Sequence, residues 1–157
     1  MFITQFLCEK CIIADLSAAS KDEVLQKLAQ KASDLVQGVA PEAIFETLKE
    51  REQLGSTGIG NGIAIPHGKI HGLERLLVIF ARSKEGVPFE ALDHQPVHAI
   101  FLLLAPETAS TAYLKILARI SRLLKTPNVY EHLMNADNAL RLLDVIKDVD
   151  CTLPLSI

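Results

Sequence analysis

The sequence predicts a single α/β domain in which one sheet lies between layers of helices. Two apolar runs, Leu76–Ala81 and Val97–Ala105, lack the alternation of a half-exposed strand and suit strands covered on both faces. Helical spacing of apolar residues precedes and follows them, the pattern of a layered α/β fold. At 157 residues the chain is long enough for one domain to bury about two-thirds of its unfolded surface. No linker, repeat or low-complexity segment divides it. The domain is expected over 1–150, with a short C-terminal tail over 151–157.

The elements follow in order. Ile12-Ile13-Ala14 reads as an edge strand. Ser20-Lys21-Asp22-Glu23 has capping-box spacing. Behind it Val24, Leu25, Leu28, Ala29, Ala32, Leu35 and Val36 keep helical period up to Gly38. Pro41 suits a first helical position, and Ile44, Phe45 and Leu48 give the second helix a buried stripe up to about Gln53. Gly55–Gly62 holds four glycines in eight residues and is a loop. Ile63-Ala64-Ile65 is a short strand stopped by Pro66. The first long apolar run is a strand ending at Arg82, and Val97–Ala105 is its neighbour. Thr108–Lys125 is a helix whose stripe includes Tyr113, Leu117, Ile120 and Leu124. Pro127 begins a short helix, and Asp137 caps the last one, which turns Leu140, Leu143 and Ile146 inward.

Composition bounds function. Hydrophobic residues make up 49% and charged residues 22%, with a net charge of −3, so the chain is globular and lacks the basic patch that nucleic acid requires. The longest apolar run falls short of the ~20 residues that span a bilayer. Met1–Leu7 has no preceding positive charge and no small-residue cleavage site, so a cytoplasmic location without membrane insertion is expected. Cys8 and Cys11 form a C-x-x-C that reads as redox-active, as half a zinc site, or as plain half-buried thiols. Zinc would need two further ligands, and thioredoxin-like chemistry a helix where a strand follows. Simple thiols in a reducing compartment are the reading adopted.

Of the five histidines, His98 falls in a strand, His132 on the exposed side of a short helix, and His94 in a polar turn. His67 and His71 would pair on a metal only within a helix, which Pro66, Gly68 and Gly72 oppose. His67 differs by its surroundings. It follows a strand and a proline that fixes chain direction, and glycines flank the segment. Ser56 and Thr57 sit in the upstream loop as possible donors to an anion, and Arg51 adds a permanent cation. These parts suit a phosphorylated histidine, and equally a turn with an exposed histidine. Ile59, Ile63 and Ile65 are candidates for the edge of a docking patch around it.

The stretch Arg51-Glu-Gln-Leu-Gly-Ser-Thr-Gly-Ile-Gly-Asn-Gly-Ile-Ala-Ile-Pro-His-Gly-Lys69 resembles the signature of mannitol/fructose-type enzyme IIA domains of the phosphotransferase system. Glu52, Ile59-Gly60 and the Ile63–Gly68 core each match it. The form Gly55–Lys69 is most similar to the nitrogen-regulatory branch. The resemblance implies a mixed central sheet flanked by helices on both faces, and an active histidine at His67 phosphorylated by an HPr/NPr-type phosphocarrier. It places an arginine at Arg51 and hydroxyls at Ser56 and Thr57, and requires no metal, nucleotide or other cofactor. Sugar-specific members pass the group, usually held on Nε2, to a IIB domain. Nitrogen-regulatory members use it as a signal to potassium transporters and sensor kinases. Many members carry a second active-site histidine where this chain has Tyr113, either a hydrogen-bond donor to the phosphoryl group or part of the buried stripe. Two other readings stand beside the regulatory one. One is a sugar-specific IIA serving a fructose/mannitol-type permease, and the other a non-catalytic regulatory binding module with His67 idle.

Overall fold

In the computed structural model, which describes residues 1–155, the chain opens with two 3-10 turns, Ile3–Gln5 and Glu9–Cys11. It continues through β1 (Ile12–Ile13), α1 (Lys21–Leu35), α2 (Pro41–Gln53), β2 (Gly58–Gly60), β3 (Ile63–Ala64), β4 (His67–Ile70), β5 (Leu77–Val87) and β6 (Val97–Pro106). Three helices close it: α3 (Ser110–Lys125), α4 (Val129–Asn135) and α5 (Ala139–Asp150). The two apolar runs are the central strands. β5 and β6 pair antiparallel, with Phe80 opposite Phe101 and their rings 4.8 Å apart. β1 adds to β5 in parallel. β3 and β4 both lie parallel to β6 on its other side, and β2 pairs antiparallel with β3. The sheet is mixed, as expected. α1 and α2 pack on each other and on β5 and β4; α3, α4 and α5 pack on one another and on β6, β5 and β1.

Local chemistry explains the helix ends. The Ser20 side chain accepts from the Glu23 amide at 3.1 Å, and the Glu23 carboxylate accepts from the Ala19 amide at 3.1 Å, so two orphan donors of α1 are met. Pro41 starts α2. At α5 the cap is Asn138, whose Oδ1 accepts from the Arg141 amide at 3.0 Å; Asp137 stands one residue too early. α3 begins at Ser110 rather than Thr108, and α4 at Val129 rather than Pro127, after Asn128 turns the chain with φ +71°. β5 runs past Arg82 to Val87 through a register shift. The sheet also resumes after Pro66 as β4, where a stop was expected, because Pro66 still offers its carbonyl to the Leu103 amide at 3.0 Å.

Two arginines lie inside. Arg82 is fully buried; its Nε donates to the Ala14 carbonyl at 3.1 Å, and its Nη1 to the carbonyls of Leu133 and Ala136. A cation thus meets carbonyls left open where α4 ends. Arg119 donates to Asp150 Oδ1 at 2.6 Å and to the carbonyls of Leu153 and Pro154 at 3.2 and 2.8 Å. Asp150 Oδ2 accepts from the Thr4 amide and hydroxyl, each at 3.1 Å. This buried pair joins the first turn of the chain to α5 and the residues after it.

Removing one member of such a pair strands a buried charge, at a cost of about 3–5 kcal/mol. Arg119→Met is therefore expected to lower unfolding free energy in urea by that amount, and adding Asp150→Leu to recover much of it. A loss under about 1 kcal/mol would place the pair with ordinary surface ion pairs.

Candidate functional site

His67 opens β4, opposite Leu103 of β6. Just before it, Ile65 points its backbone away from β6. Its amide donates to the Thr57 carbonyl at 3.0 Å, and its carbonyl lies 2.7 Å from His67 Nδ1. A carbonyl oxygen only accepts, so Nδ1 carries the ring proton and Nε2 of the neutral ring holds a free lone pair. Arg51 Nε donates to that Nε2 at 3.3 Å, while Nη1 is anchored on the Gly55 carbonyl at 2.9 Å. Burial holds the imidazole pKa below its ordinary value, and the Arg51 charge pushes the same way; the Ile65 carbonyl and Glu52 oppose them. The half-buried ring is thus neutral and nucleophilic at pH 7.

α2 delivers Arg51 because it lies close against β4. A Cβ at Gly68 would stand 2.9 Å from the Thr47 methyl. Thr47 and Arg51 are four residues apart and share one helix face, so the contact at Gly68 sets the reach of Arg51 to the neighbouring His67. The next residue, Glu52, turns inward and is only 9% exposed. Lys21 at the start of α1 pairs with it at 2.7 Å, and it accepts from the Thr57 amide at 3.1 and 3.2 Å and from the Thr57 hydroxyl. Both Thr57 donors, expected to face an anion, are thereby taken up by a buried carboxylate that needs them. The Ser56 hydroxyl oxygen accepts from the Gly58 amide at 3.0 Å, which shapes the loop and leaves its own proton free to donate.

On the other side stands Tyr113 of α3, its ring 6.0 Å from that of His67 and tilted by 53°. Burial raises its phenol pKa, against the nearby Arg51 charge, so it stays protonated. Sequence reasoning assigned no role to Lys69. It follows His67 by two residues, hence on the same side of β4; its Nζ sits 5.7 Å over the Tyr113 ring and donates to Ser110 Oγ at 3.3 Å. That period of two within the strand was the available signal, hidden by reading Pro66 as a stop. Ile63 and Ile65 are buried, not a docking edge, because they pack into the core. The exposed apolar groups on the segments around His67 are Ile59, Leu54 and Leu114.

The remaining histidines lie apart from this cluster. His71 donates from Nδ1 to Glu107 at 2.8 Å on the surface, and His98 from Nδ1 to the Ser83 carbonyl at 2.9 Å. Among the described residues no three His, Cys, Asp or Glu side chains gather as metal ligands. No described helix is long and apolar enough to cross a membrane.

Two outcomes follow from this geometry. The folded pKa of His67 is depressed, so the unfolded chain binds more protons as pH falls. The stability it contributes is complete above the ordinary value of 6.5 and is lost as pH drops through the folded pKa. Imidazole NMR titration is expected to place His67 below 6.5; a midpoint above it would refute the assigned environment. Gly68→Ala should press on Thr47 and cost about 1–3 kcal/mol, moving Arg51 off His67 and shifting that titration upward. Thr47→Ala in the same chain should restore both, whereas no rescue would place the strain elsewhere.

The family model described as "Phosphoenolpyruvate-dependent sugar phosphotransferase system, EIIA 2" matches residues 5–149. A nitrogen regulatory protein of Bradyrhizobium diazoefficiens is 43% identical over 146 residues, 93% of this chain and 95% of that protein. The PTS system fructose-specific EIIABC component of Bacillus subtilis is 33% identical over 150 residues, 96% of this chain but 24% of that longer protein. The crystal structure of nitrogen regulatory protein IIA-Ntr from Neisseria meningitidis matches with a TM-score of 0.85 at 32% identity, covering 92% of this chain and 98% of that one. With the match running through β1 to α5 and the same fold in a solved relative, the chain belongs to the EIIA 2 family of the phosphoenolpyruvate-dependent sugar phosphotransferase system, whose members are phosphoryl-transfer components.

Proposed function

We propose that His67 accepts a phosphoryl group on Nε2 from the phosphohistidine of an HPr/NPr-type phosphocarrier, and that the cytoplasmic protein signals by its phosphorylation state. The observation that carries this reading is the pair of contacts on one ring: the Ile65 carbonyl on Nδ1–H and Arg51 on Nε2. The Nε2 lone pair attacks phosphorus in line. The donor's N–P bond breaks, and its electron pair returns to the donor nitrogen. As Nε2 bonds phosphorus the ring gains positive character, which strengthens the Nδ1–H donation to Ile65. Arg51 exchanges its weak contact with Nε2 for the phosphoryl oxygens, and the Tyr113 hydroxyl and Lys69 supply further donors. Ser56 adds a hydroxyl from the loop. Thr57 acts through Glu52, by holding that loop in place. No metal, nucleotide or cofactor enters the step.

A phosphoryl group adds about two negative charges to the surface at His67, near which exposed Leu54, Ile59 and Leu114 fall in the chain segments that build the site, and so changes which partners bind there. The relative of highest identity given above is a nitrogen regulatory protein. That favours a regulatory output, toward a potassium transporter or sensor kinase, over delivery to a IIB domain.

The test is phosphorylation of the purified chain by phosphoenolpyruvate, enzyme I and HPr or NPr, beside His67→Ala. One acid-labile phosphoryl group per chain is expected, lost in His67→Ala and formed faster with the preferred carrier. Labelling that persists in His67→Ala would move the site, and no labelling by any donor would leave a binding module. Transfer onward to a fructose- or mannitol-type IIB domain would transfer the assignment to the sugar branch.

A further inference from the structure

The C-x-x-C lies outside the phosphoryl site, and its geometry differs from that of two unrelated thiols. Cys8 and Cys11 bracket one 3-10 turn, closed by the Cys11 amide donating to the Cys8 carbonyl at 2.9 Å. Their sulfurs stand 3.2 Å apart. One such turn rises ~6 Å over three residues, within the Cα separations that a disulfide bridges. Both ends of the segment are fixed on β5: the Phe6 carbonyl accepts from the Val78 amide at 3.2 Å, and Ile12 pairs with Phe80. Closing a bond between the two sulfurs therefore asks for adjustment within the turn alone.

The two thiols also differ in access. Cys8 is exposed, whereas Cys11 is buried and free. Burial first, opposed by the hydrogen bond to the Cys8 backbone and helped by the Cys8 thiol, pushes the Cys11 thiol up to about 11, so it is no nucleophile toward solvent. Both line a cleft of about 330 Å³ whose walls include Phe6, Leu35, Leu76 and Arg75. The Arg75 guanidinium lies over the Phe6 ring at 5.7 Å and donates to the Gln5 carbonyl at 3.2 Å. A cation and an apolar wall thus line the same cleft as the outer sulfur, a setting for a small carboxylate-bearing molecule.

We propose that Cys8 and Cys11 form a reversible dithiol site, oxidised to an intramolecular disulfide by a small anionic disulfide that enters this cleft. The Cys8 thiolate attacks one sulfur of the incoming disulfide; that S–S bond breaks and the first small thiolate leaves. Cys11 gives its proton to that thiolate or to water. Its sulfur then attacks Cys8 Sγ, and the second small thiolate departs and takes up from water the proton that the Cys8 thiol had released. Two protein thiols are oxidised and one small disulfide is reduced to two thiols, so the balance closes without any other oxidant. This site is independent of His67 chemistry.

The test uses oxidised glutathione as the probe on the full chain carrying Cys151→Ser, since Cys151 is also exposed. Thiols are counted and intact mass recorded before and after dithiothreitol. The expected result is loss of both thiols with no glutathionyl group retained, fully reversed by the reductant. Adding Cys11→Ser should trap a stable glutathionyl group on Cys8. Adding Cys8→Ser should slow reaction at the remaining buried thiol at least about tenfold. A glutathionyl group that stays on Cys8 while Cys11 is present would overturn the proposal. So would unchanged thiols in a chain whose Cys8 still reacts with a general thiol reagent.

Discussion

The approach of α2 to β4 governs the site, and it depends on position 68 having no side chain. The Thr47 methyl fills the space a Cβ at Gly68 would need. Because successive helical residues turn by about 100°, Arg51 returns to the face of Thr47 one turn later, while Glu52 points away from it. One helix end thereby serves two purposes. Arg51 reaches over β4 to His67, and Glu52 goes into the interior to meet Lys21 and Thr57. Had the helix stood farther off, the carboxylate would lose its buried partners and the guanidinium its reach.

That division also sorts the charges. Glu52, one of the two acidic side chains beside Arg51 in sequence, is paired with Lys21 on the far side of the helix end. Among the described residues, neither Arg51 nor Lys69 has a carboxylate within ion-pair distance. Arg51 and Lys69 therefore stand unpaired beside His67 before any anion arrives. Burial first, and the Arg51 charge with it, disfavour imidazolium, which keeps Nε2 available, and the two cations favour a dianionic group once it is attached. Arg51 serves both demands, with no side chain required to change its ionisation.

What the sequence shows well is what neighbours in the chain determine. The Ser20–Glu23 cap, Pro41 at the head of α2, and the apolar runs of β5 and β6 all rest on local spacing. So does the signature from Arg51 to Lys69, because its residues are consecutive. The misreadings concern neighbours that local spacing does not decide. Arg82 looks like the polar end of a strand, yet carbonyls about fifty residues later in α4 draw it inside. Asp137 and Asn138 are both good caps, and it is Asn138 that takes the position. Thr57 reads as a donor to an anion until the fold buries Glu52 beside it. β4 escapes notice because a proline marks a break in local terms, while the parallel partner that sustains it lies at 103–106.

That break repays closer reading. β3 and β4 keep one and the same offset to β6, with Ala64 opposite Ile100 and His67 opposite Leu103, so no residue has been inserted between them. They are one strand in which Pro66 accepts from β6 but has no N–H to return. Ile65, by strand alternation, turns its polar groups outward. Its amide finds the Thr57 carbonyl next to the start of β2, but β2 offers nothing to its carbonyl. An open acceptor at a sheet edge needs a donor, and the ring of His67, two residues on, provides one from Nδ1. The hydrogen bond that leaves Nε2 bare is thus the same bond that completes the sheet edge. The tautomer is set by backbone satisfaction, and it holds whether or not any partner is bound.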